Sequence, residues 1–348
     1  MSRTHLPLLA VLVATVLTPV PAEAAASCAP SVGALPGLGG TYAEAHAMSR
    51  RGVVVGTAQD GDGAVRAVWW DRARRVHAID PGSGLADAAL DVNEAGAVVG
   101  IANDLEVGLA RGWYRSPRGR LTYLRTPEGI IGSYAARVNN AGVIAGFVVH
   151  ADESLAAARW ASPTAAPTVL PGTVARGQGI AFGLNDGGTV VGGVADASRE
   201  FVPASWPRRR GPVTLRVHGV ENPGVARDVN AAGQVAGVGR ATAEGVEQAV
   251  RWDAGGRARL LGTLPGGTAS AAYAVSARGR VTGEARDADG VPHAFVWTGT
   301  GRLRPLPALV GGGESGGNAL DDTGTVAGRS TAADGTVRAV LWRCAFGR

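Results

Sequence analysis

The chain has 348 residues, of which 45% are hydrophobic and only 18% are charged, and its formal net charge is +5. This length is enough for a sizeable core. A charge this small does not by itself indicate a nucleic-acid-binding protein, and we expect no nucleic-acid partner.

The N-terminus has the pattern of a secretory signal peptide. Arg3 is followed by a mostly apolar run up to Val20 and then by small residues around Ala24. We therefore expect residues 1–26 to be a signal peptide, cleaved after Ala24 or Ala26. An uncleaved membrane anchor is the alternative, but Pro7 and Pro19 interrupt the run, Pro21 follows it, and the run is short for a spanning helix. No later stretch of the sequence is long and apolar enough to cross a bilayer, so we expect no membrane span in the mature chain.

The only two cysteines, Cys28 and Cys344, lie near the two ends of the mature chain. In an oxidising compartment such a pair is expected to form a disulfide. Lipidation of Cys28 is the alternative, but the large aliphatic residue usually found three places before a lipidated cysteine is missing.

A short motif, G-x-[VIA]-x-G, recurs through the whole mature chain. Its second glycine stands at Gly56, Gly100, Gly146, Gly192, Gly237, Gly283 and Gly328. Each motif is followed by a tryptophan at Trp70, Trp113, Trp160, Trp206, Trp252, Trp297 and Trp342. The spacing of 44 to 46 residues divides residues 27–348 into seven repeats of one domain, numbered here 1 to 7 in chain order.

Two further columns of residues follow the same period. A small residue precedes the first glycine of each motif by seven places, at Ala45, Ala89, Ala135, Ala181, Ala226, Ala272 and Gly317. A turn residue precedes that glycine by three places, at Ser49, Asn93, Asn139, Asn185, Asn230, Ser276 and Asp321. The columns predict four strands per repeat, A to D, with a type I turn and a left-handed glycine between strands A and B.

Four short antiparallel strands about every 45 residues are what one blade of a β-propeller requires. We therefore predict an all-β, seven-bladed propeller. The small residues of strand A suit the crowded position near the axis, and the tryptophan of strand C suits the space between blades. Pro203 lies in strand C of repeat 4 and cannot donate a ladder hydrogen bond, so we expect a bulge or a displaced edge there.

The phase of the repeats predicts how the ring closes. Repeat 7 lacks a strand D after Trp342, whereas the segment Val32 to Leu38 has the strand D pattern and precedes repeat 1. This segment is expected to complete the last blade beside the strand from Val340 to Trp342. Such pairing places Cys344 next to Cys28.

The run His293-Ala294-Phe295-Val296-Trp297, with the strands around it, resembles the HAF-type extracellular repeat, named for its His-Ala-Phe triplet. The literal triplet occurs once, and elsewhere it degrades to sequences such as Arg66-Ala67-Val68. The resemblance covers nearly all of the mature chain. It implies a secreted repeat protein, and it carries no biochemical role.

Few motifs in the chain carry chemistry. The run from Gly313 to Gly317 fits the G-x-S-x-G pattern of a nucleophile elbow, but no helical sequence follows it. Asp60-Gly61-Asp62-Gly63 and Asp287-Ala288-Asp289-Gly290 are similar to calcium loops, yet they lack the longer run of oxygen ligands. The histidines have no metal-ligand spacing. We expect no catalytic centre, no cofactor and no metal site.

The charges divide between two sets of turns. The B to C turns carry Asp60, Asp62, Asp104, Glu106, Asp152, Glu153, Asp196, Glu200, Glu244, Glu247, Asp287, Asp289 and Asp334. The C to D turns carry Arg72, Arg74, Arg75, Arg115, Arg118, Arg120, Arg208, Arg209, Arg210, Arg257, Arg259, Arg302 and Arg304. These turns lie on opposite sides of a propeller, so the arginines form a candidate polyanion-binding face. The alternative is that polar turns simply collect charge.

Two classes of function fit the sequence. The first is a monomeric, secreted, non-catalytic binding or structural module for an extracellular ligand, such as an anionic glycan, a cell-wall polymer or a protein. The second is a secreted polysaccharide-cleaving propeller, with carboxylates contributed by different blades. Two carboxylates facing one axial pocket would favour the enzyme.

Overall fold

The computed structural model describes residues 28–347 except 81, 83–85, 105–107, 173–177, 209–210, 218–222 and 241–244. Within that part of the chain there are 28 strands and no helix, so no helix there could span a membrane. The predicted signal peptide lies outside the described residues.

The strands follow the predicted order within each repeat. The A strands are β2 (Gly39–Met48), β6 (Ala86–Val92), β10 (Ile130–Val138), β14 (Gly179–Leu184), β18 (Gly224–Val229), β22 (Ser270–Val275) and β26 (Ser315–Leu320). The B strands are β3 (Val54–Asp60), β7 (Val98–Asp104), β11 (Ile144–His150), β15 (Val190–Ala195), β19 (Val235–Arg240), β23 (Val281–Arg286) and β27 (Val326–Thr331). The C strands are β4 (Val65–Trp70), β8 (Leu109–Arg115), β12 (Leu155–Trp160), β16 (Phe201–Trp206), β20 (Glu247–Trp252), β24 (Pro292–Trp297) and β28 (Val337–Arg343). The short D strands are β1 (Ser31–Ala34), β5 (Val76–Ile79), β9 (Leu121–Tyr123), β13 (Thr168–Val169), β17 (Val213–Thr214), β21 (Ala258–Leu260) and β25 (Arg304–Pro305).

Each of repeats 2 to 6 forms its own four-stranded antiparallel sheet in the order A-B-C-D. The strands of repeats 1 and 7, together with β1, form one eight-stranded sheet. Its two halves meet at a single parallel bridge between β2 and β28, at Tyr42 and Val337. The prediction of an all-β chain built from four-stranded antiparallel sheets is confirmed.

The N-terminal strand pairs with the last strand of the chain. In β1, Val32 lies opposite Trp342 and Ala34 lies opposite Val340, in antiparallel register. A disulfide joins Cys28 to Cys344, with their Cα atoms 5.6 Å apart and 316 residues between them in sequence. Both the predicted strand pairing and the predicted disulfide are present.

The A to B turns are built as the repeated asparagine and glycine predict. In repeat 2, Asn93 Oδ1 accepts a hydrogen bond of 2.9 Å from the amide of Ala97, which fixes the turn by a side chain. Gly96 has φ of 85°, a left-handed conformation that glycine adopts without steric cost. The first glycine of every motif has a positive φ.

Every A strand contains a register shift immediately after its small residue. In repeat 2 the shift lies between Ala89 and Asp91, so Leu90 is the extra residue of a β-bulge. The bulge brings the A strand close to strand B, where a Cβ on Gly100 would lie 2.1 Å from the carbonyl oxygen of Ala88. This close approach is why the second glycine of the motif recurs in every repeat.

The cores lie between neighbouring sheets. Trp113 of repeat 2 packs with Ala89 of its own sheet and with Val55 of repeat 1, and each of the other six column tryptophans is buried in an equivalent cluster. One cluster joins Leu341 of repeat 7 to Trp70 of repeat 1. In repeats 1 to 6 the small residue is an alanine, and it packs in one of these clusters with residues of the preceding sheet, as Ala89 does with Val55.

The prediction of a bulge at Pro203 is wrong. β16 pairs with β15 in unbroken register, with Pro203 opposite Gly193. The carbonyl oxygen of Pro203 accepts a hydrogen bond from Leu215, next to the D strand. A residue's N and O point to the same side of a strand, so the missing N–H faces the outer edge, where proline is tolerated.

Candidate functional site

The arginines of the predicted anion-binding face occupy the C to D turns, and most of them are exposed. Arg209 and Arg210 lie outside the described residues. The exposed members are Arg72, Arg75, Arg118, Arg120, Arg208, Arg257, Arg259, Arg302 and Arg304, while Arg74 and Arg115 are partly buried. In the described part of the chain these residues are distributed over the C to D turns of repeats 1, 2, 4, 5 and 6.

Several of these arginines already have partners. Arg75 Nε lies 2.7 Å from Asp71 Oδ2, and Arg259 Nη1 donates to the carbonyl of Gly299 at 3.3 Å. Arg304 donates to the carbonyl of Phe346, and the Arg115 guanidinium lies over the ring of Trp69. The candidate polyanion-binding face is therefore less uniformly available than the sequence suggests.

The acidic B to C turns use their carboxylates to hold the turns themselves. Asp60 Oδ1 accepts from the amides of Asp62 and Ala64, and its other oxygen pairs with Arg66 at 3.0 Å. Asp287 pairs with His293 at 2.7 Å. This contact and the hydrogen bonds from the turn amides lower the pKa of the Asp287 carboxyl. Glu106 and Glu244 lie outside the described residues. No group of three metal-binding side chains occurs in the described part of the chain.

Ser315, in the G-x-S-x-G run, is a structural residue. It begins strand β26, is 1% exposed, and its Oγ accepts a hydrogen bond of 3.0 Å from the amide of Ala294. The run continues as a strand, so it lacks the strand-to-helix turn of a nucleophile elbow.

A central cavity of about 470 Å³ is lined by residues from all seven repeats. That volume falls in the usual range for small-molecule sites. Its lining residues are Tyr42, Glu44, His46, Leu90, Tyr134, Ala136, Arg137, Phe182, Arg227, Tyr273, Glu284, Asn318 and Arg329. All come from A strands except Glu284 and Arg329, which come from B strands.

The bulges of the A strands supply one wall residue from every repeat. The bulged residues are His46, Leu90, Ala136, Phe182, Arg227, Tyr273 and Asn318. All seven line the central cavity. A bulge re-aims a side chain that a regular strand would point elsewhere. The same backbone device therefore presents seven different side chains to one space.

One wall of the cavity carries a cluster of ionised groups from three repeats. Arg329 Nη2 lies 2.6 Å from Glu284 Oε2, and Arg329 Nε lies 3.5 Å from Glu44 Oε1. Asn318 donates to Glu44 Oε1 at 2.7 Å, and the Tyr42 hydroxyl donates to Glu44 Oε2. Burial alone would raise the pKa of Glu44, but His46, these hydrogen bonds and Arg329 together lower it.

Another part of the wall combines aromatic rings with a second arginine. The Arg227 guanidinium lies 4.6 Å from the centre of the Phe182 ring. Tyr134 is stacked on Phe147 with ring centres 4.7 Å apart. Burial raises the pKa of Tyr134 and of Tyr273, so both hydroxyls stay protonated and can donate. Burial also lowers the pKa of Arg227.

A second, smaller cavity of about 260 Å³ lies near the A to B turns. Arg137 lines both cavities, while Asp91 and Asp228 line the smaller one. Asp91 Oδ2 accepts from the amide of Val138, and Asp228 Oδ2 accepts from that of Val275. Each carboxylate therefore ties one sheet to the next around the centre. Burial raises the pKa of Asp91.

The ionised cluster could not be predicted from the sequence, because its members come from three different repeats. Glu284 and Arg329 each follow the second glycine of their motif, but Glu44 lies in another column, and no local pattern brings the three together. The bulged residues had a weak signal. They stand one place after the small residue in each repeat, at a position where seven different residue types occur.

No family model matches the chain, and no curated protein matches it. Solved structures do. The chain is similar to the β-propeller domain of the Trilobed protease from Pyrococcus furiosus (TM-score 0.54, 12% identity, covering 86% of this chain and 92% of that chain). It is similar to the BP39L lectin from Burkholderia pseudomallei (TM-score 0.53, 15% identity, covering 92% of this chain and 96% of that chain). It is also similar to virginiamycin B lyase from Staphylococcus aureus (TM-score 0.59, 10% identity, covering 90% of this chain and 99% of that chain). At these identities the likeness bears on the fold alone, and the chain has a β-propeller fold.

Proposed function

We propose that the chain is a secreted, seven-bladed β-propeller that binds an extracellular ligand in its central cavity without transforming it. The observation that carries the binding role is a contrast between positions. The motif glycine and the tryptophan of strand C are the same in all seven repeats, whereas the bulged residue that lines the cavity differs in all seven. A position needed only for packing would repeat, so the variety at this one favours recognition.

Seven blades and a closed ring are part of the proposal. Cutting the eight-stranded sheet at its single bridge, Tyr42 to Val337, leaves two four-stranded sheets and brings the total to seven. The hydrophobic cluster shared by Leu341 and Trp70 supports contact between the last blade and the first. The pairing of β1 with β28 supports closure by the N-terminal strand.

Secretion is supported by three observations. The sequence begins with a signal-peptide pattern, the disulfide requires an oxidising compartment to persist, and the repeats resemble the HAF-type extracellular repeat.

A polysaccharide-cleaving enzyme is the competing function, because Glu44 and Glu284 are two carboxylates facing one cavity. Arg329 pairs with both of them, however, and the pKa of Glu44 is lowered. A general acid for glycoside cleavage needs a raised pKa. The electrostatics of the pair therefore favour binding over cleavage.

The experiment is a ligand screen with a blocked cavity. The Tm of the mature, disulfide-bonded protein is measured with soluble saccharides and with cell-wall fragments. Two variants are measured in parallel: Ala136→Trp fills the cavity, and Ala78→Trp adds the same ring on an exposed strand. We expect a ligand to raise the Tm of the wild type and of Ala78→Trp but not of Ala136→Trp. Equal shifts in all three proteins would reject the cavity as the site, and a cleaved ligand in mass spectra would favour the enzyme. Leu90→Trp serves as a second block if Ala136→Trp melts abnormally.

We also propose that the exposed arginines bind a polyanion as a second, weaker activity. Arg118, Arg120 and Arg257 are exposed and have no ion pair among the residues that the structure describes. Replacing these three by Ser should reduce retention on an anionic resin at low salt. The control is Arg66→Ser with Arg199→Ser and Arg338→Ser, which removes the same number of positive charges from the B to C side, where Arg66 and Arg338 are paired with Asp60 and Asp334. An equal loss of retention in both triple variants would mean that net charge alone, and not this set of arginines, accounts for binding to the resin.

A further inference from the structure

Arg227 is a partly buried cation with no anion bound to it. It forms no ion pair and donates no hydrogen bond to any residue that the structure describes, and its Nε is buried without a partner. Its guanidinium lies over the Phe182 ring, 4.6 Å from the ring centre. Of the charged groups that act on it, Arg137 carries the same sign, and Glu247 is already paired with Arg240 at 3.5 Å. A buried guanidinium in this state has free, directed donors for an anionic ligand.

The charge around the cavity favours a ligand with one negative charge rather than two. A guanidinium binds a carboxylate through two parallel hydrogen bonds. The lining carries three arginines, Arg137, Arg227 and Arg329, and two glutamates, Glu44 and Glu284, which leaves one positive charge to be balanced by a ligand. A single carboxylate therefore fits the balance of charges better than a phosphate does.

The rest of the lining suits a ring that carries hydroxyl groups. The ring of Phe182 and those of the two tyrosines offer flat apolar faces. The hydroxyls of Tyr134 and Tyr273 make no hydrogen bond to the described residues, and Glu44 offers acceptor oxygens nearby. A sugar presents apolar C–H faces together with hydroxyl donors and acceptors, so it can use both sets of groups.

We propose that the central cavity binds a carboxylated sugar, with the carboxylate of a uronic acid on Arg227 and its ring against the neighbouring aromatic side chains. The proposal rests on the proposed function of this cavity as the ligand site. The volume of about 470 Å³ accommodates a short saccharide rather than a polymer chain. Uronic acids at the end of an anionic glycan would enter from the side of the B to C turns, since the A strands that line the cavity begin there.

The test is calorimetric titration of the mature, disulfide-bonded protein with glucuronate and galacturonate and their disaccharides. Glucose, galactose and benzoate are titrated in parallel, because they carry the ring without the carboxylate or the carboxylate without the sugar. The proteins are the wild type, Arg227→Gln, Arg227→Lys and, as control, Arg51→Gln, an exposed arginine outside the cavity and outside the candidate polyanion-binding face. Melting curves establish that each variant is folded.

We expect uronates to bind the wild type and Arg51→Gln equally, and Arg227→Gln to bind them about 10- to 100-fold more weakly, as for loss of a charge-assisted hydrogen bond. Arg227→Lys should fall between them. Unchanged uronate affinity in Arg227→Gln, or neutral sugars binding as tightly as uronates, would overturn the proposal. Tighter binding of benzoate than of uronates would overturn its sugar part.

The failure of this proposal can be told apart from failure of the proposed function. If uronates do not bind but another ligand raises the Tm of the wild type and not that of Ala136→Trp, the cavity is a binding site for a different class of molecule. If ligands raise the Tm of Ala136→Trp and of the wild type equally, the cavity is not the binding site and both proposals are wrong.

Discussion

Arg329 Nη2 lies 2.6 Å from Glu284 Oε2, which joins a B strand of repeat 7 to a B strand of repeat 6. The same guanidinium also reaches Glu44 in repeat 1. One side chain therefore links three repeats at the point where the chain returns to its start.

Removing this cation should weaken the fold. Arg329→Gln leaves two partly buried carboxylates without their shared partner, and we expect a loss of about 1–2 kcal/mol, reduced from the fully buried case by partial solvent access. Urea unfolding measures it, with the exposed Arg257→Gln as control. Glu284→Gln in the Arg329→Gln background should recover part of the loss. Equal stability of the two arginine variants would mean that the cluster contributes nothing to the fold.

The second glycine of the repeated motif should not tolerate a methyl group. A Cβ on Gly237 would lie 2.2 Å from the carbonyl oxygen of Val225, whereas a Cβ on Gly61 would meet no atom within 4 Å. Gly237→Ala should therefore cost about 2 kcal/mol or more, from overpacking against backbone. Gly61→Ala should stay within about 0.5 kcal/mol of the wild type. Similar unfolding midpoints for both variants would argue against the bulged A strand.

The disulfide should contribute strongly to stability. It closes a loop across a separation of 316 residues, and the chain-entropy treatment gives about 6 kcal/mol for a loop of this size. Cys28→Ser with Cys344→Ser should lower the Tm, and excess thiol should lower the Tm of the wild type to the same value. A melting curve unaffected by both treatments would contradict this role.

Acid should weaken the C to D turn of repeat 1 over a defined pH range. The Arg75 amide, its guanidinium and His77 hold the pKa of Asp71 at about 2, below its ordinary value of 3.8. Because the folded-state value is the lower one, the stabilisation is complete above pH 3.8 and is lost as the pH falls through about 2. Stability measured against pH should therefore fall less steeply between these values in Asp71→Asn than in the wild type or in the exposed Asp62→Asn. Parallel curves for all three would be inconsistent with a lowered pKa.

Repetition made much of the fold predictable from sequence. The left-handed Gly96, the buried Trp113 and the pairing of β1 with β28 follow from residue columns and their phase. Pro203 was misjudged, because a strand's pattern does not reveal which side of the ladder a given N–H faces.

The candidate site was largely invisible in the sequence. The bulge after Ala226 turns Arg227 into the cavity, yet a one-residue register shift leaves no change in spacing. The approach of Arg329 to Glu44 depends on the last repeat lying beside the first, which no local pattern encodes.

Hydrogen exchange of the N-terminal strand tests the closed ring most directly. We predict that the ladder amides of Ser31 to Ala34 exchange as slowly as those of β28, and that they stay protected in the Cys28→Ser, Cys344→Ser variant under native conditions, because pairing as well as the covalent link holds the strand. Exchange of these amides at the rate of a free peptide, while β28 remains protected, would contradict closure by the N-terminal strand.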